Sequence, residues 1–198
     1  MSHIIQHPIF IQGHKTILRP PCKETDLDFC YFWLNDPEVT RFLTFFLPQS
    51  KTEESQWFDA LSNKKDNIVL AIETIDDRKF IGIMGLHRID WCNRIATTGA
   101  FIGDRNYWGQ GYGTDAKMFL LAYAFNQLNL HKICSQVIEY NERSLNYSLH
   151  CGYQHEGRLR QQVFKHGRYW DLILLGLFKK EWLPIWRKYQ KTGQVKVK

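Results

Sequence analysis

Tyr107-Trp108-Gly109-Gln110-Gly111-Tyr112-Gly113-Thr114-Asp115-Ala116 sets three glycines at alternate positions. An apolar run, Thr98-Gly99-Ala100-Phe101-Ile102-Gly103, precedes it and a helix-like run follows. In the second run Ala116, Phe119, Leu120, Tyr123 and Ala124 recur at the spacing of one helical face. A strand, a glycine loop and a helix start in that order make a compact anion site. Glycine lets the backbone approach closely and take positive φ, and unpaired N–H groups at the helix N-terminus point at a bound phosphate. The loop is not a P-loop, because no Gly-Lys-Ser/Thr follows. It is not Gly-x-Gly-x-x-Gly either, since Thr114 stands where the third glycine should be. A glycine-rich turn without a ligand is the alternative reading of the loop alone.

A chain of 198 residues suits a single domain over residues 1–198 with a sizeable core. Apolar content of 44% and aromatic content of 15% indicate a globular protein. No stretch approaches the ~20 apolar residues of a membrane span, and no signal-peptide pattern opens the chain, so a cytoplasmic location without membrane contact is expected. Cys22, Cys30, Cys92, Cys134 and Cys151 are scattered and form no CxxC pair, which reads as reduced thiols. The histidines show no ligand spacing, so no metal is expected. The net charge of +6 includes Arg187, Lys188, Lys191, Lys196 and Lys198, which follow the last acid, Glu181; without those five the body carries +1. Residues 187–198 thus read as a solvated, partly disordered basic tail, and nucleic-acid binding through a basic face is disfavoured.

Taken in order, the first dozen residues read as a loose arm and Thr16–Pro20 as a first strand. A helix is expected over about 25–34, with an aromatic face of Phe29, Tyr31 and Phe32. Asp36 is expected to cap a second helix starting at Pro37, and residues 50–61 to form a third. The strands at 68–72, 80–90 and 95–102 suggest an antiparallel meander. A helix from about 113 to 128, a strand at 132–138 and a short helix opened by Asn141 and ended at Gly152 follow. Two last strands span about 155–164 and 169–178, and a short helix 182–186 closes the chain.

The loop Trp108-Gly109-Gln110-Gly111-Tyr112-Gly113 resembles the pyrophosphate loop of the GNAT acetyltransferases, in the branch of the ribosomal-protein N-terminal acetyltransferases. Asn141-x-x-Ser144 with Gly152-Tyr153, Glu156-Gly157-x-Leu159-Arg160 and Gly167-x-Tyr169-x-Asp171 are similar to later motifs of that family. The Asp36-Pro37 turn resembles an earlier one. The match spans roughly residues 14 to 183. The resemblance implies an α+β fold: a central mixed, mostly antiparallel twisted sheet of about seven strands, helices on both faces, and a splayed strand pair holding acyl-CoA. It implies acetyl-CoA as acyl donor, no metal, and an N-acetyltransferase working by direct transfer through a ternary complex. The backbone of Gln110, Gly111, Gly113 and Thr114 would hold the pyrophosphate, with Trp108, Gly109 and Tyr112 in the same loop. Phe101, Ile102 and Gly103 would pair with the pantetheine amides as a strand would. Asn141 would bond the pantetheine arm or a nearby loop, or serve as a helix N-cap. Lys117 and Arg105 are either electrostatic helpers or solvated surface charges.

Both usual proton-transfer positions depart from the family pattern. The glutamate on the strand before the loop is replaced by Thr97, and the tyrosine seven residues after the asparagine by Ser148, with neighbouring Tyr147 expected to face elsewhere. Three readings stay open: positioning with a backbone N–H near Phe101 serving the oxyanion; Ser148 or Ser144 donating through water with Glu156, Asp171 or Asp90 as base; or acyl-CoA binding with little catalysis, as in a non-catalytic regulatory module. Tyr147 and His150 are further candidates. The early helices offer Phe42, Phe45, Phe46 and Trp57 as substrate-wall or core residues. The acceptor is a primary amine, at a protein N-terminus or on a polyamine or amino sugar, and the chain a monomer or homodimer.

Overall fold

The computed structural model describes residues 7–63 and 65–195. Its elements are β1 (Ile11–Gln12), β2 (Thr16–Arg19), α1 (Lys23–Leu34), α2 (Pro37–Thr40), α3 (Lys51–Ala60), β3 (Ile68–Thr74) and β4 (Phe80–Asp90). They continue with β5 (Ile95–Ile102), α4 (Tyr112–Asn126), β6 (Lys132–Ile138), α5 (Glu142–His150), β7 (Gln154–Lys165), β8 (Arg168–Phe178) and α6 (Lys179–Thr192). The strands form one sheet in the order β1-β2-β3-β4-β5-β6-β8-β7. Among the described residues only the β5–β6 pair runs parallel. The mixed α+β architecture is as expected, with eight strands among the described residues where about seven are expected. The extra one is β1, inside the expected loose arm, where it pairs Ile11 with Leu18; residues 1–6 of that arm lie outside the described residues.

Local chemistry places the early elements. Asp36 Oδ1 accepts from Glu38 N at 2.9 Å ahead of Pro37. Ser50 and Glu53 make a reciprocal capping box at α3. The meander covers two cores. Leu70 and Ile72 of β3 face a large cluster with α4 and α6, while Ala71 between them faces Leu27, Cys30 and Phe58 of α1 and α3. That alternation is the period of a strand buried on both faces. Gly103 lets α1 close on the end of β5, because a Cβ there would sit 1.9 Å from the Trp33 ring.

The C-terminal segment departs from expectation. The final helix runs fourteen residues to Thr192, not five, and its start is pinned where Phe178 N donates to Glu181 Oε2 at 3.0 Å. Pro184 is the sixth residue of the helix, so it leaves the Lys180 carbonyl without its i+4 donor, and the helix continues past it to Thr192. Trp182, Trp186 and Tyr189 are buried against the main core. Residues 187–192 are therefore an amphipathic helix end rather than a free tail; Lys196 and Lys198 lie outside the described residues.

One ion network ties α1 to the sheet. Arg19, 1% exposed, makes a bidentate pair with Asp26 at 2.7 Å and donates through Nε to Glu73, whose other oxygen takes Arg78 Nε at 2.9 Å. Arg19→Met would leave two buried carboxylates short of their partner. It is expected to cost about 3–5 kcal/mol, read as a lower urea midpoint with unchanged slope.

Candidate functional site

The β5–β6 register ends at Thr97↔Cys134, although β5 continues to Ile102 and β6 to Ile138. Beyond that pair the two strands diverge, and a cleft of about 750 Å³ opens between them. Its walls are Thr98 to Ile102 of β5, Ser135 to Ile138 of β6, the glycine loop, and the cleft-facing side of α5. Val39, Phe42, Leu43 and Thr44 form a roof.

Hydrogen-bond parity decides which backbone groups of β5 face the cleft. Gly103 N donates to Ile81 O at 2.8 Å, continuing the register Gly82↔Ile102 and Ile83↔Phe101. Odd-numbered residues of β5 are thus bonded to β4, and Ala100 and Ile102 turn their N–H and C=O toward the cleft. The Ile102 carbonyl takes Trp108 Nε1 at 2.7 Å, which leaves the groups of Ala100 and the N–H of Ile102. This shifts the expected pantetheine contact away from Phe101, whose backbone bonds to β4, and from the Gly103 N–H, which is taken by Ile81. Phe101 still lines the cleft.

The loop itself is built for an anion. Gly109 and Gly111 stand at φ +72° and +85°, and Gly111 is the N-cap of α4 without a side chain to cap it. The first-turn N–H groups at Tyr112, Gly113 and Thr114 thus lack intrahelical acceptors, as at any helix start, and the helix dipole adds partial positive charge. Gly109, Gly111, Gly113 and Thr114 line the cleft, whereas the side chains of Gln110 and Tyr112 turn out of it. Lys15, distant in sequence, donates to Gln110 O at 2.9 Å and brings its ammonium beside the loop. Arg105 instead lies near Asp36 and is exposed. An acyl-CoA pyrophosphate fits this cradle: the loop offers uncapped N–H groups, glycine conformations and a neighbouring cation.

Beneath the loop, Asp115 fixes α4. Its carboxylate, fully buried, accepts from the N–H groups of His14, Lys15 and Thr16, from Thr16 Oγ1 and from Tyr189 Oη, at 2.6–3.1 Å.

The α5 wall differs most from the sequence reading. Asn141 caps the helix through Oδ1 to Ser144 N at 3.1 Å, and its amide reaches Phe42 O at 3.5 Å. Both its expected roles as cap and loop partner are present, and it lines the cleft. Ser144, Tyr147 and His150 line the cleft too; Ser148 does not. Ser148 is fully buried, its Oγ without a partner among the described residues, so the helix phase puts Tyr147, not Ser148, on the ligand side. Thr97 also turns away, its Oγ1 accepting from Arg88 at 3.3 Å. Among the proposed bases, Glu156 pairs with Lys132, Asp171 with Arg158, and Asp90 with the Asn93 turn, all outside the cleft lining.

At the closed end of the wedge sits Lys117, 2% exposed and therefore no surface charge. Its Nζ donates to Thr98 Oγ1 at 3.0 Å and lies over the rings of Tyr147 and Tyr153, 4.9 and 5.1 Å from their centroids. Burial pulls its pKa down to about 8. The Tyr147 phenol, also buried, is pushed well above its ordinary range, and its Oη has no hydrogen-bond partner among the described residues.

The roof is tied to the second half of the chain. Lys165 Nζ donates to Thr40 O and Phe45 O at 2.7 and 2.8 Å, and the Tyr140 phenol donates to Arg41 O. Arg143 lies over the Trp108 ring at 4.0 Å at the cleft wall. Of the aromatic wall candidates, Phe42 alone lines the cleft; Phe46 is 78% exposed, and Trp57 packs on the α1–α3 core.

A family model described as an acetyltransferase (GNAT) domain matches residues 15–154. The chain is 32% identical over 156 residues to "Uncharacterized N-acetyltransferase p20" of Bacillus licheniformis, covering 77% of this chain and 86% of that protein. To the spermidine N(1)-acetyltransferase of Escherichia coli K12 it is 26% identical over 186 residues, covering 94% and 96%. The crystal structure of spermidine N-acetyltransferase from Vibrio cholerae in complex with CoA and spermine matches with a TM-score of 0.79 at 24% identity, over 85% of this chain and 98% of that one. That last likeness concerns the fold.

Proposed function

The chain belongs to the acetyltransferase (GNAT) family and is an acyl-CoA-dependent N-acetyltransferase; on that premise we propose that its acceptor is the α-amine of a peptide or protein N-terminus. One observation carries the choice. Among the described residues lining the cleft there is no aspartate or glutamate, while Lys117, Arg143 and His150 are present. A polyamine, the acceptor named for the Escherichia coli relative, would bring several positive charges into a site with no carboxylate to meet them.

Proton chemistry argues the same way. The nucleophile must be neutral, and among the described residues no carboxylate base lines the cleft. An alkylammonium has a pKa of about 10.4 and an α-ammonium about 7.7–8.0, so at neutral pH the α-amine is neutral roughly 250- to 500-fold more often. An enzyme that relies on positioning and water for deprotonation suits the weaker base.

Acetyl-CoA, when bound, supplies the activated acyl group. In this reading the Gly109–Thr114 loop and Lys15 hold the pyrophosphate, and Ala100 and Ile102 meet the pantetheine amides. The Ala100 N–H is the backbone donor suited to the developing oxyanion. Of the three hydroxyls considered, Ser144 faces the cleft and can order water there, and neither Ser148 nor Thr97 does. Val39, Phe42 and Leu43 of the roof provide an apolar wall for the first peptide side chain.

The test is acetyl transfer from acetyl-CoA to N-terminal peptides, spermidine and an amino sugar, read by mass spectrometry beside isothermal titration with acetyl-CoA. At pH 7 peptide turnover is expected to exceed spermidine turnover by about 100-fold. The gap should narrow toward pH 9 as the alkylamine deprotonates. Preference for spermidine at pH 7 would overturn the acceptor assignment, and cofactor binding without transfer to any amine would favour a regulatory module.

A further inference from the structure

We infer that Lys117 is the proton donor that neutralises the departing CoA thiolate, an inference that rests on the acetyltransferase reading. The wedge geometry places it. Thr98 is the first β5 residue beyond the last β5–β6 pair, so it marks the apex of the cleft. The strand from Thr98 to Ile102 covers about 13 Å, and the pyrophosphate loop lies beyond its far end. A donor anchored at that loop with its arm along β5 brings its thioester end toward Thr98, and Lys117 Nζ is bonded to that residue's hydroxyl at 3.0 Å.

Nothing structural calls for a lysine at this position. Lys117 forms no ion pair among the described residues, and its neighbours on α4, Ala116 and Met118, are fully buried and apolar. Burying an unpaired ammonium is costly, and a methionine of similar length would pack without that cost. The ammonium is held by the faces of Tyr147 and Tyr153 and by Thr98 Oγ1, which also contacts Tyr153 Oη at 3.0 Å. These are neutral groups that support a cation without quenching it.

The acidities decide between Lys117 and Tyr147. Lys117, lowered to about 8, is at least as acidic as an ordinary thiol, for which about 8.5 is the cysteine side-chain value, so it passes a proton to a thiolate without cost. Tyr147 starts from about 10 and is raised by burial, which leaves its phenol a weaker proton donor than Lys117 by more than about 100-fold. In the step, the acceptor nitrogen bonds to the carbonyl carbon, and the C–S bond breaks with its electron pair on sulfur. Lys117 gives its proton to that sulfur, the new amide sheds its extra proton to water, and Lys117 regains one from solvent after release.

The pH dependence follows. The facing titratable groups are Tyr147 of α5 and, after the helix, Cys151 and Tyr153, all pushed up by burial, Cys151 to about 12. They stay neutral through the window in which Lys117 titrates. Donation needs protonated Lys117, so its contribution is full below pH 8 and is lost above it, opposing the rise from acceptor deprotonation.

The experiment compares wild type, Lys117→Met and Lys117→Arg. Titration of the ultraviolet absorbance of the thiolate in each CoA complex is expected to give a thiol pKa at least about one unit lower in wild type and Lys117→Arg than in Lys117→Met. Turnover on the best acceptor should fall about 100-fold in both variants, since arginine keeps the charge but does not give up its proton. Acetyl-CoA affinity should stay within about threefold and the melting temperature of Lys117→Met should not fall. Identical thiol pKa values in wild type and Lys117→Met, or undiminished turnover in both variants, would overturn the assignment. Absence of CoA binding by the wild type would instead overturn the acetyltransferase reading beneath it.

Discussion

Gly111→Glu is expected to weaken acetyl-CoA binding by at least about 100-fold while leaving the protein folded. The glycine stands at φ +85° at the N-cap of α4, and a Cβ built there meets only Lys15 Nζ, at 3.9 Å. Room is therefore not the difficulty for the free protein. The left-handed conformation costs a non-glycine residue about 1–2 kcal/mol, a loss of stability that does not distinguish bound from free. The carboxylate does distinguish them. It would sit among the N–H groups meant for the pyrophosphate, and one pair of like charges about 5 Å apart at an effective dielectric of 20 opposes binding by about 3 kcal/mol. Gly111→Ala separates the two contributions, with the same backbone strain, no charge, and an affinity expected within about tenfold of wild type. Calorimetric titration of both variants is the measurement. Equal acetyl-CoA affinity for Gly111→Glu and wild type would mean that the phosphates bind elsewhere.

That loop was legible because its physics is local: a glycine at positive φ, a helix start and a preceding strand are neighbours in sequence. The same holds for Asp36 and Ser50 as caps and for the β3–β4–β5 meander. The buried place of Lys117 is illegible for the opposite reason. Ala116, Phe119, Leu120, Tyr123 and Ala124 suggest one buried face, which would leave Lys117 outside it. In the fold Met118, Leu121 and Phe125 are also buried, because α4 is enclosed by the sheet, β1 and α6. A helix apolar on nearly all sides leaves a lysine no exit to solvent. Counting positions along α5 pointed to Ser148, yet one residue is about 100° of helix, and tertiary packing turned Tyr147 to the cleft instead. The C-terminal helix is hidden for a similar reason. Its charges were visible in sequence, but the acceptor for Tyr189, Asp115, lies 74 residues away.

That distant contact underlies the largest stability effect expected here. Asp115→Ala should cost about 4–5 kcal/mol, a substantial part of the 5–15 kcal/mol typical of a domain. Five donors converge on this carboxylate. Each left buried without an acceptor loses about 1–3 kcal/mol, reduced for the half-buried N–H groups of His14 and Lys15, which water can reach. Tyr189→Phe removes only one donor and should cost about 1–2 kcal/mol. The two changes share a contact, so they should not add. With Asp115 already replaced, the Tyr189 hydroxyl is itself an unsatisfied buried group, and Tyr189→Phe becomes neutral or stabilising. Urea midpoints for the four proteins of this cycle measure the coupling. An equal loss from Tyr189→Phe in both backgrounds would mean that α6 is held by Trp182 and Trp186 alone. A reversal of sign would tie the C-terminal helix, the β1–β2 turn carrying Lys15 and the phosphate-binding start of α4 into one unit. Acetyl-CoA should then stabilise all three against unfolding together, by RT ln(1 + [L]/Kd).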